Sequence, residues 1–349
     1  MVDPRTGRAF VVSYAGRVSV LDAEGANHGT AVMLGADPQS AVFDATRGRA
    51  IVCSTVTNLL SVLDLLDTRR MQVIRRIPVG GTCSTELAVD VQRGRTYAPV
   101  GPVVYILATD TGALLRTVPL SGRVQAAAVA VDPRTGDAFV TGGYNTVSIL
   151  ARRSASLVRT ITVGQAPGPV AVDASRSRVF VVNQNGDSVS TLDARTGTVL
   201  RTAPVGMLPM ALAVDERRGR VFVLGGGSVS TLDAATGVVV ATTPVGGTPI
   251  ALAVDTGTGR VFVTGTAAGG GAPSRPRSSF LDRLIVWVVG VVPHQDAGHV
   301  SVLDARSGAL LYTAAVGQGP SAVAMSERTH QAFIANFNSN SVSVLDANR

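Results

Sequence analysis

Residues 211–246 read ALAVDERRGRVFVLGGGSVSTLDAATGVVVATTPVG. Four short runs rich in β-branched and small apolar residues are separated there by Asp, Gly and Pro, the pattern of strands joined by tight turns. Strand A is Ala211 to Asp215, strand B Arg220 to Val223, strand C Ser228 to Asp233, and strand D the run ending at Val245-Gly246. The same phrase recurs along the chain. Its anchoring acid falls at Asp3, Asp44, Asp90, Asp132, Asp173, Asp215 and Asp255, with Ser326 in the eighth slot, at intervals of 41, 46, 42, 41, 42, 40 and 71 residues. Four strands per unit at a period near forty predict an all-β fold: a β-propeller of four-stranded antiparallel blades. Eight repeat units favour eight blades, with seven as the alternative.

The turns explain the repeated acid. In Asp-Pro-Arg-Thr-Gly, at residues 3–7 and again at 132–136, Pro presets φ, Asp bonds its own backbone two residues on, and Gly closes the turn. The C–D turn repeats this chemistry at 193–197 and 233–237. The Asp is therefore expected to form turns and not to act as a catalytic carboxylate. Seven positions after it comes Phe10, Ile51, Tyr97, Phe139, Phe180, Phe222, Phe262 or Phe333, in register for packing between blades.

Antiparallel strands sort the loops onto two faces. A–B and C–D turns share a short, repetitive face; B–C and D–A loops share the irregular one, including residues 142–145, 183–187 and 336–340. Site-specific function is expected on the irregular face, where loops vary over a rigid frame.

The 349 residues, 46% of them hydrophobic, supply one continuous core, so residues 1–349 are expected to form a single propeller domain. Net charge is +7, and all 31 basic residues are Arg. That composition fits the codon usage of a GC-rich bacterium. Arg recurs at one repeat position (Arg8, Arg49, Arg95, Arg178, Arg220 and Arg260), spread around the ring and without stacking aromatics, which argues against nucleic-acid binding. No signal segment opens the chain, and the longest apolar run, 284–292, is too short to span a membrane at about 20 residues.

Strand counting tests closure. The chain opens where a strand A ends and stops after a strand C, so one D and one A are short. That deficit leads to the expectation that a D–A segment once preceded Met1 and latched the ring.

At Phe180-Val181-Val182-Asn183 and Phe333-Ile334-Ala335-Asn336, each followed by S-V-S-x-L-D, the chain resembles the YVTN-type β-propeller repeat family of bacterial and archaeal surface and secreted proteins. The P-x-x-x-A-V-D approach of that family is matched at Pro38, Pro167, Pro209, Pro249 and Pro320. Phe stands for the first Tyr, Gly replaces Asn in most copies, and Ala108 and Ala151 replace the strand C Asp. The resemblance implies an extracytoplasmic binding role, with a protein or glycan partner at the cell surface. It does not name a ligand.

Departures from the repeat locate the candidate sites. The 71-residue unit carries an insertion at 265–299 in the B–C loop of the seventh repeat, with the chain's one Trp at Trp287. Its apolar stretch, 280–292, would cover the channel mouth, dock on a partner, touch a membrane surface peripherally, or pack on its own blade. His294, Asp296 and His299 close the insertion; they are metal-ligand types, but provide at most three ligands without a helix to align them, so no metal is assigned. Glu86 stands where other units place small residues, as a channel-mouth ligand contact or a carboxylate paired with Arg. Cys53 and Cys83 lie on one face, as a disulfide if the protein is exported or as two separate buried thiols.

No nucleophile elbow is present, and with four His and four Glu acid–base catalysis lacks participants. The sequence thus points to a non-catalytic binding scaffold, with no cofactor. The alternative is a lactonase-like or cofactor-dependent enzyme at the channel mouth near Glu86.

Overall fold

The computed structural model describes residues 2–348 except 14, 23–24, 35–36, 58, 85, 121–124, 153, 155, 267–276, 282–284 and 290–297; for 28–31, 277–281 and 285–289 it describes the backbone alone. Each repeat forms its own antiparallel sheet, and eight such sheets follow one another around the ring. Blade 6 shows the pattern, with strands A (Ala211–Asp215), B (Arg220–Gly225), C (Ser228–Asp233) and D (Val239–Pro244) pairing in order from inside to outside. Eight blades, not seven, are present.

Blades 2 to 7 have four strands in their main sheets and blades 1 and 8 have three. Blade 1 holds strands B (Ala9–Val12), C (Arg17–Leu21) and D (Asn27–Met33), with Val2 bridging Ala9 in place of a full strand A. Blade 8 holds A (Pro320–Ser326), B (Gln331–Asn336) and C (Ser341–Asp346). These are the two strands that sequence counting finds short. Blades 1 and 8 nevertheless close the ring: Val2, Ala9 and Leu21 pack with Ala324 and Phe333 in one buried cluster.

The in-register aromatics fill the seams between blades. Phe139 packs with Val170, Val172, Val179 and Val181 of the following blade, and Phe180 with Leu212, Val221 and Val223 of the next. At the first seam Phe10 meets Phe43 with ring centroids 5.4 Å apart. Alternating side chains of each strand reach opposite seams, so blade 4 contributes to the clusters it shares with blades 3 and 5, and blade 5 to those it shares with blades 4 and 6.

Charged stitches on the A–B/C–D face complement this apolar packing. The Asp215 carboxylate is fully buried; its Oδ1 accepts the Arg218 N–H (3.0 Å) and its Oδ2 accepts Arg218 Nη1 (2.9 Å). The same Nη1 also donates to the carbonyl of Thr256 in blade 7 (2.7 Å). Asp173 and Arg176 repeat the arrangement, with Arg176 Nη1 reaching the Glu216 carbonyl (2.7 Å). Asp44 and Arg47 do so toward Val91. At the closing seam Arg328 Nη1 donates to the Arg5 carbonyl (2.8 Å).

A second tier lies further out. Arg220, opening strand B, pairs with Asp233 at the end of strand C (2.9 Å), and its Nε donates to the Arg306 carbonyl of blade 7 (3.2 Å). Arg178 does the same with Asp193 (3.2 Å) and the Ala235 carbonyl (3.4 Å). A third tier runs from strand D: Arg116 donates to the Ser154 carbonyl (2.8 Å) and Arg201 to that of Thr236 (3.0 Å). The planar five-donor guanidinium can serve its own carboxylate and a neighbouring carbonyl together. Part of the positive excess is thus spent on neutral carbonyl acceptors.

The outer carboxylates are tuned by these bonds. Asp193 is held below the ordinary carboxylate range, chiefly by the Thr196 N–H against the opposing effect of burial, with the Arg195 N–H, the Thr196 hydroxyl and Arg178 adding to it. For Asp67, Asp233 and Asp304 burial is the largest single influence and acts upward. It is outweighed by turn N–H and hydroxyl donors together with Arg49 and Arg70, Arg220, and Arg260 respectively.

Two outcomes are expected. Asp215→Ala strands a guanidinium and a turn N–H in a buried seam and should lower stability by about 3 kcal/mol in denaturant titration; a loss near zero would mean the stitch contributes nothing. Carboxylates with depressed folded pKa stabilise fully above the unfolded value of about 3.9 and lose that contribution as pH falls through the folded values. The melting temperature should therefore fall below about pH 4, and less steeply in Asp193→Asn/Asp233→Asn.

Candidate functional site

With the A–B/C–D face occupied by stitches, the irregular face remains. In blade 4 the left-handed Asn145 (φ 58°) accepts the Val163 N–H at its carbonyl (2.8 Å) and the Ala166 N–H at its Oδ1 (3.1 Å). In blade 5 Asp187 (φ 44°) repeats the lock, accepting from Val205 N (2.9 Å) at its carbonyl and from Leu208 N (2.8 Å) at Oδ1. Asn and Asp tolerate this conformation. Each lock ties a B–C loop to the D–A crossover beside it.

On these locked loops stand large apolar side chains in water: Tyr144 is 77% exposed, Met207 70% and Leu208 55%. Leu59, in the B–C loop of blade 2, is 82% exposed. Tyr144 (φ 58°) and Leu208 (φ 49°) also hold left-handed backbone, which costs a non-glycine residue about 1 kcal/mol or more. In the corresponding V-G-x-x-P crossovers the pair Met207-Leu208 is replaced by Gln165-Ala166, Gly247-Thr248 and Gln318-Gly319. The left-handed backbone recurs at Ala166 (φ 51°) and Gly319 (φ 61°), so folding uses that conformation but does not need the bulk of Met207 and Leu208. The repeat itself carried this signal, but sequence reasoning, which used strand-centred deviations, passed over Met207 and Leu208.

The insertion leaves blade 7 intact: strand B (Arg260–Thr266) pairs directly with strand C (Gly298–Asp304). Beyond it, the backbone strands Arg277–Leu281 and Ile285–Val289 form a hairpin in which Ser279 faces Trp287. One hairpin strand lies against the strands A of blades 2, 7 and 8, the other against those of blades 5 and 6. The hairpin thus crosses the ring centre and also touches strand A of its own blade.

The other candidate residues are dispersed. His299 lies in strand C of blade 7, its imidazole against Gly247 and Gly265. His294 and Asp296 lie outside the described residues. Glu86 is fully buried, just before the strand A of blade 3, four blades around the ring from His299. Among the described residues no three of His, Cys, Asp and Glu stand together as a metal site, and no helix is long and apolar enough to cross a membrane.

Blade 3 departs most from its neighbours. Its strand A is only Ala88–Asp90, and upstream Cys83 makes a lone bridge to Val100. Cys53, in strand B of blade 2, is joined to Cys83 by a disulfide with Cα atoms 5.9 Å apart. Ser40 Oγ donates across the same seam to the Ser84 carbonyl (2.9 Å). The covalent link and this bond hold the irregular crossover where regular strand pairing is absent.

The chain is an eight-bladed β-propeller. No protein-family model matches its sequence, and no curated protein does. Among solved structures it is similar to the dihydro-heme d1 dehydrogenase NirN in complex with DHE, with a TM-score of 0.73 and 13% identity over 99% of this chain and 72% of that one. At that identity the likeness shows the fold alone.

Two measurements follow. Cys53→Ala/Cys83→Ala releases a cross-link between residues 30 apart and should cost about 3–4 kcal/mol of stability. Leu208→Gly relieves left-handed strain and should leave the protein as stable or up to about 1 kcal/mol more stable; a clear loss in denaturant titration would show that Leu208 serves the fold.

Proposed function

We propose that this protein is a non-catalytic binding propeller whose B–C/D–A face engages a protein partner. The observation that carries this is the exposure of Tyr144, Met207 and Leu208 on loops locked by Asn145 and Asp187, with side-chain bulk at Met207-Leu208 that the corresponding positions of other crossovers lack. Preorganised, exposed aromatic and Met/Leu side chains are characteristic anchors of protein interfaces. The surrounding loops, built from Gly, Asn, Gln and Ser, resemble the adaptable polar setting of antibody paratopes. The hairpin strands Arg277–Leu281 and Ile285–Val289, emerging from the B–C connection of blade 7 and crossing the ring centre, extend this surface.

The resemblance to YVTN-type repeats supports a place at the cell surface or outside the cell, and the Cys53–Cys83 disulfide supports an oxidising compartment. Dispersal of the Arg side chains into seams supports a partner other than nucleic acid. An enzymatic reading draws on the dehydrogenase named in the similar structure and on Glu86; the exposed apolar anchors on the irregular face favour the binding reading.

The test is quantitative capture from a surface or culture-supernatant fraction, comparing the unaltered protein with Tyr144→Ser/Met207→Gln/Leu208→Gly. Loss of about 2 kcal/mol of binding, some 30-fold, with an unchanged melting temperature is expected. Equal capture by both proteins would contradict the assignment of this face.

A further inference from the structure

The irregular face is sorted by charge as well as by shape. The B–C loops of blades 4, 5, 6 and 8 and the D–A crossovers that join blade 4 to blade 8 carry one charged residue, Asp187, whose Oδ1 accepts the Leu208 N–H (2.8 Å). The opposite face carries exposed Arg69, Arg70, Arg195 and Arg217. A chain of net charge +7 thus keeps one sector of its surface, the insertion of blade 7 apart, nearly neutral. A charged group pressed onto that sector would lose its water without gaining a counter-charge. The sector therefore fits a surface as uncharged as itself.

Its relief has two parts. Met207 and Leu208 stand out from the crossover between blades 5 and 6. Beside them runs a tract without side chains: Gly225, Gly226 and Gly227 between strands B and C of blade 6, then Gly246 and Gly247 in the next crossover. The two parts are contiguous. A Cβ on Gly226 would lie 3.1 Å from the Met207 backbone, and one on Gly227 would find its nearest neighbour, the Gly247 carbonyl, 4.0 Å away. A Cβ on Gly246 would meet nothing within 4 Å, so the tract is an open shelf.

A knob beside a shelf on one surface becomes self-complementary about a two-fold axis, because the knob of each copy lies on the shelf of the other. Neutrality favours the same pairing: each facing sector brings one carboxylate, already bonded, and no opposed rows of like charge. Interfaces between identical chains are the more apolar class, with Met and aromatic residues enriched and charge depleted at the centre.

Resting on the reading of this face as a partner-binding surface, we propose that its partner is a second copy of this chain. The two copies meet face to face, with Met207 and Leu208 of each on the glycine shelf of the other. Tyr144 flanks the knob on the side away from the shelf.

The test is sedimentation equilibrium of the full chain from micromolar to millimolar concentration, at about 50 and about 500 mM salt. A reversible dimer is expected, its dissociation constant changing less than about threefold between the two salts because no charge pair holds it. Met207→Lys on the knob and Thr248→Glu at the half-exposed end of the shelf should each weaken it at least about tenfold with an unchanged melting temperature. An equimolar mixture of the two should pair as tightly as the unaltered protein, one contact gaining opposite charges and the other staying native. Leu208→Gly, which trims the knob without adding charge, should weaken the dimer as well. A chain that is monomeric at millimolar concentration would overturn the proposal. So would a dimer that Met207→Lys leaves intact, that the mixture fails to restore, or that high salt weakens more than about tenfold. If the chain stays monomeric while the triple variant loses capture of another protein, the binding face stands and only its pairing with a second copy falls.

Discussion

The buried turn aspartate bonded to an arginine that also grips the next blade, as at Asp44, Asp173 and Asp215, is the interaction on which this ring depends. A four-stranded blade exposes two apolar faces and gains stability only when both are covered. Apolar packing by Phe10, Phe139, Phe180 and their counterparts covers them but is weakly directional. The Asp215–Arg218–Thr256 bridge and its repeats add direction, fixing how far one blade is rotated and shifted against the next. A carboxylate such as that of Asp215, with no solvent exposure, is tolerable only because turn amides and a guanidinium satisfy it.

That constraint divides the molecule by face. Stitching with short turns commits the A–B/C–D side to structure, with its Asp, Arg and Gly held at fixed positions. The B–C/D–A side is free to vary, and there the loops use local locks, Asn145 to Ala166 and Asp187 to Leu208, to hold side chains outward. Rigid support on one side and preorganised display on the other is the arrangement a binding scaffold needs.

Much of the fold could be read from the sequence because each repeat has to solve the same packing problem. The period, strand order, turn role of Asp3 through Asp255 and seam position of the Phe series all follow from local chemistry repeated in register. The arginine tiers were not legible, since Arg218 reaching Thr256 is a contact between repeats that no single repeat displays. Composition alone invited explanation by codon usage. The site was legible as a face, through its irregular loops, but not as residues. Met207 and Leu208 become informative only once their exposure and the Asp187 lock on Leu208 are known. Glu86, conspicuous in the repeat, lies buried beside the irregular crossover at Cys83, where a broken strand A accommodates it.

The central claim is that inter-blade stitches, anchored by buried turn aspartates, hold the ring as one cooperative body. Residue-resolved amide exchange at Arg93, Arg176 and Arg218, whose N–H groups donate to Asp90, Asp173 and Asp215, tests it most directly. These amides should exchange only with global unfolding, at the same free energy as the strand cores. Exchange through local fraying would contradict the account and leave packing of the apolar seams as the sole source of ring geometry.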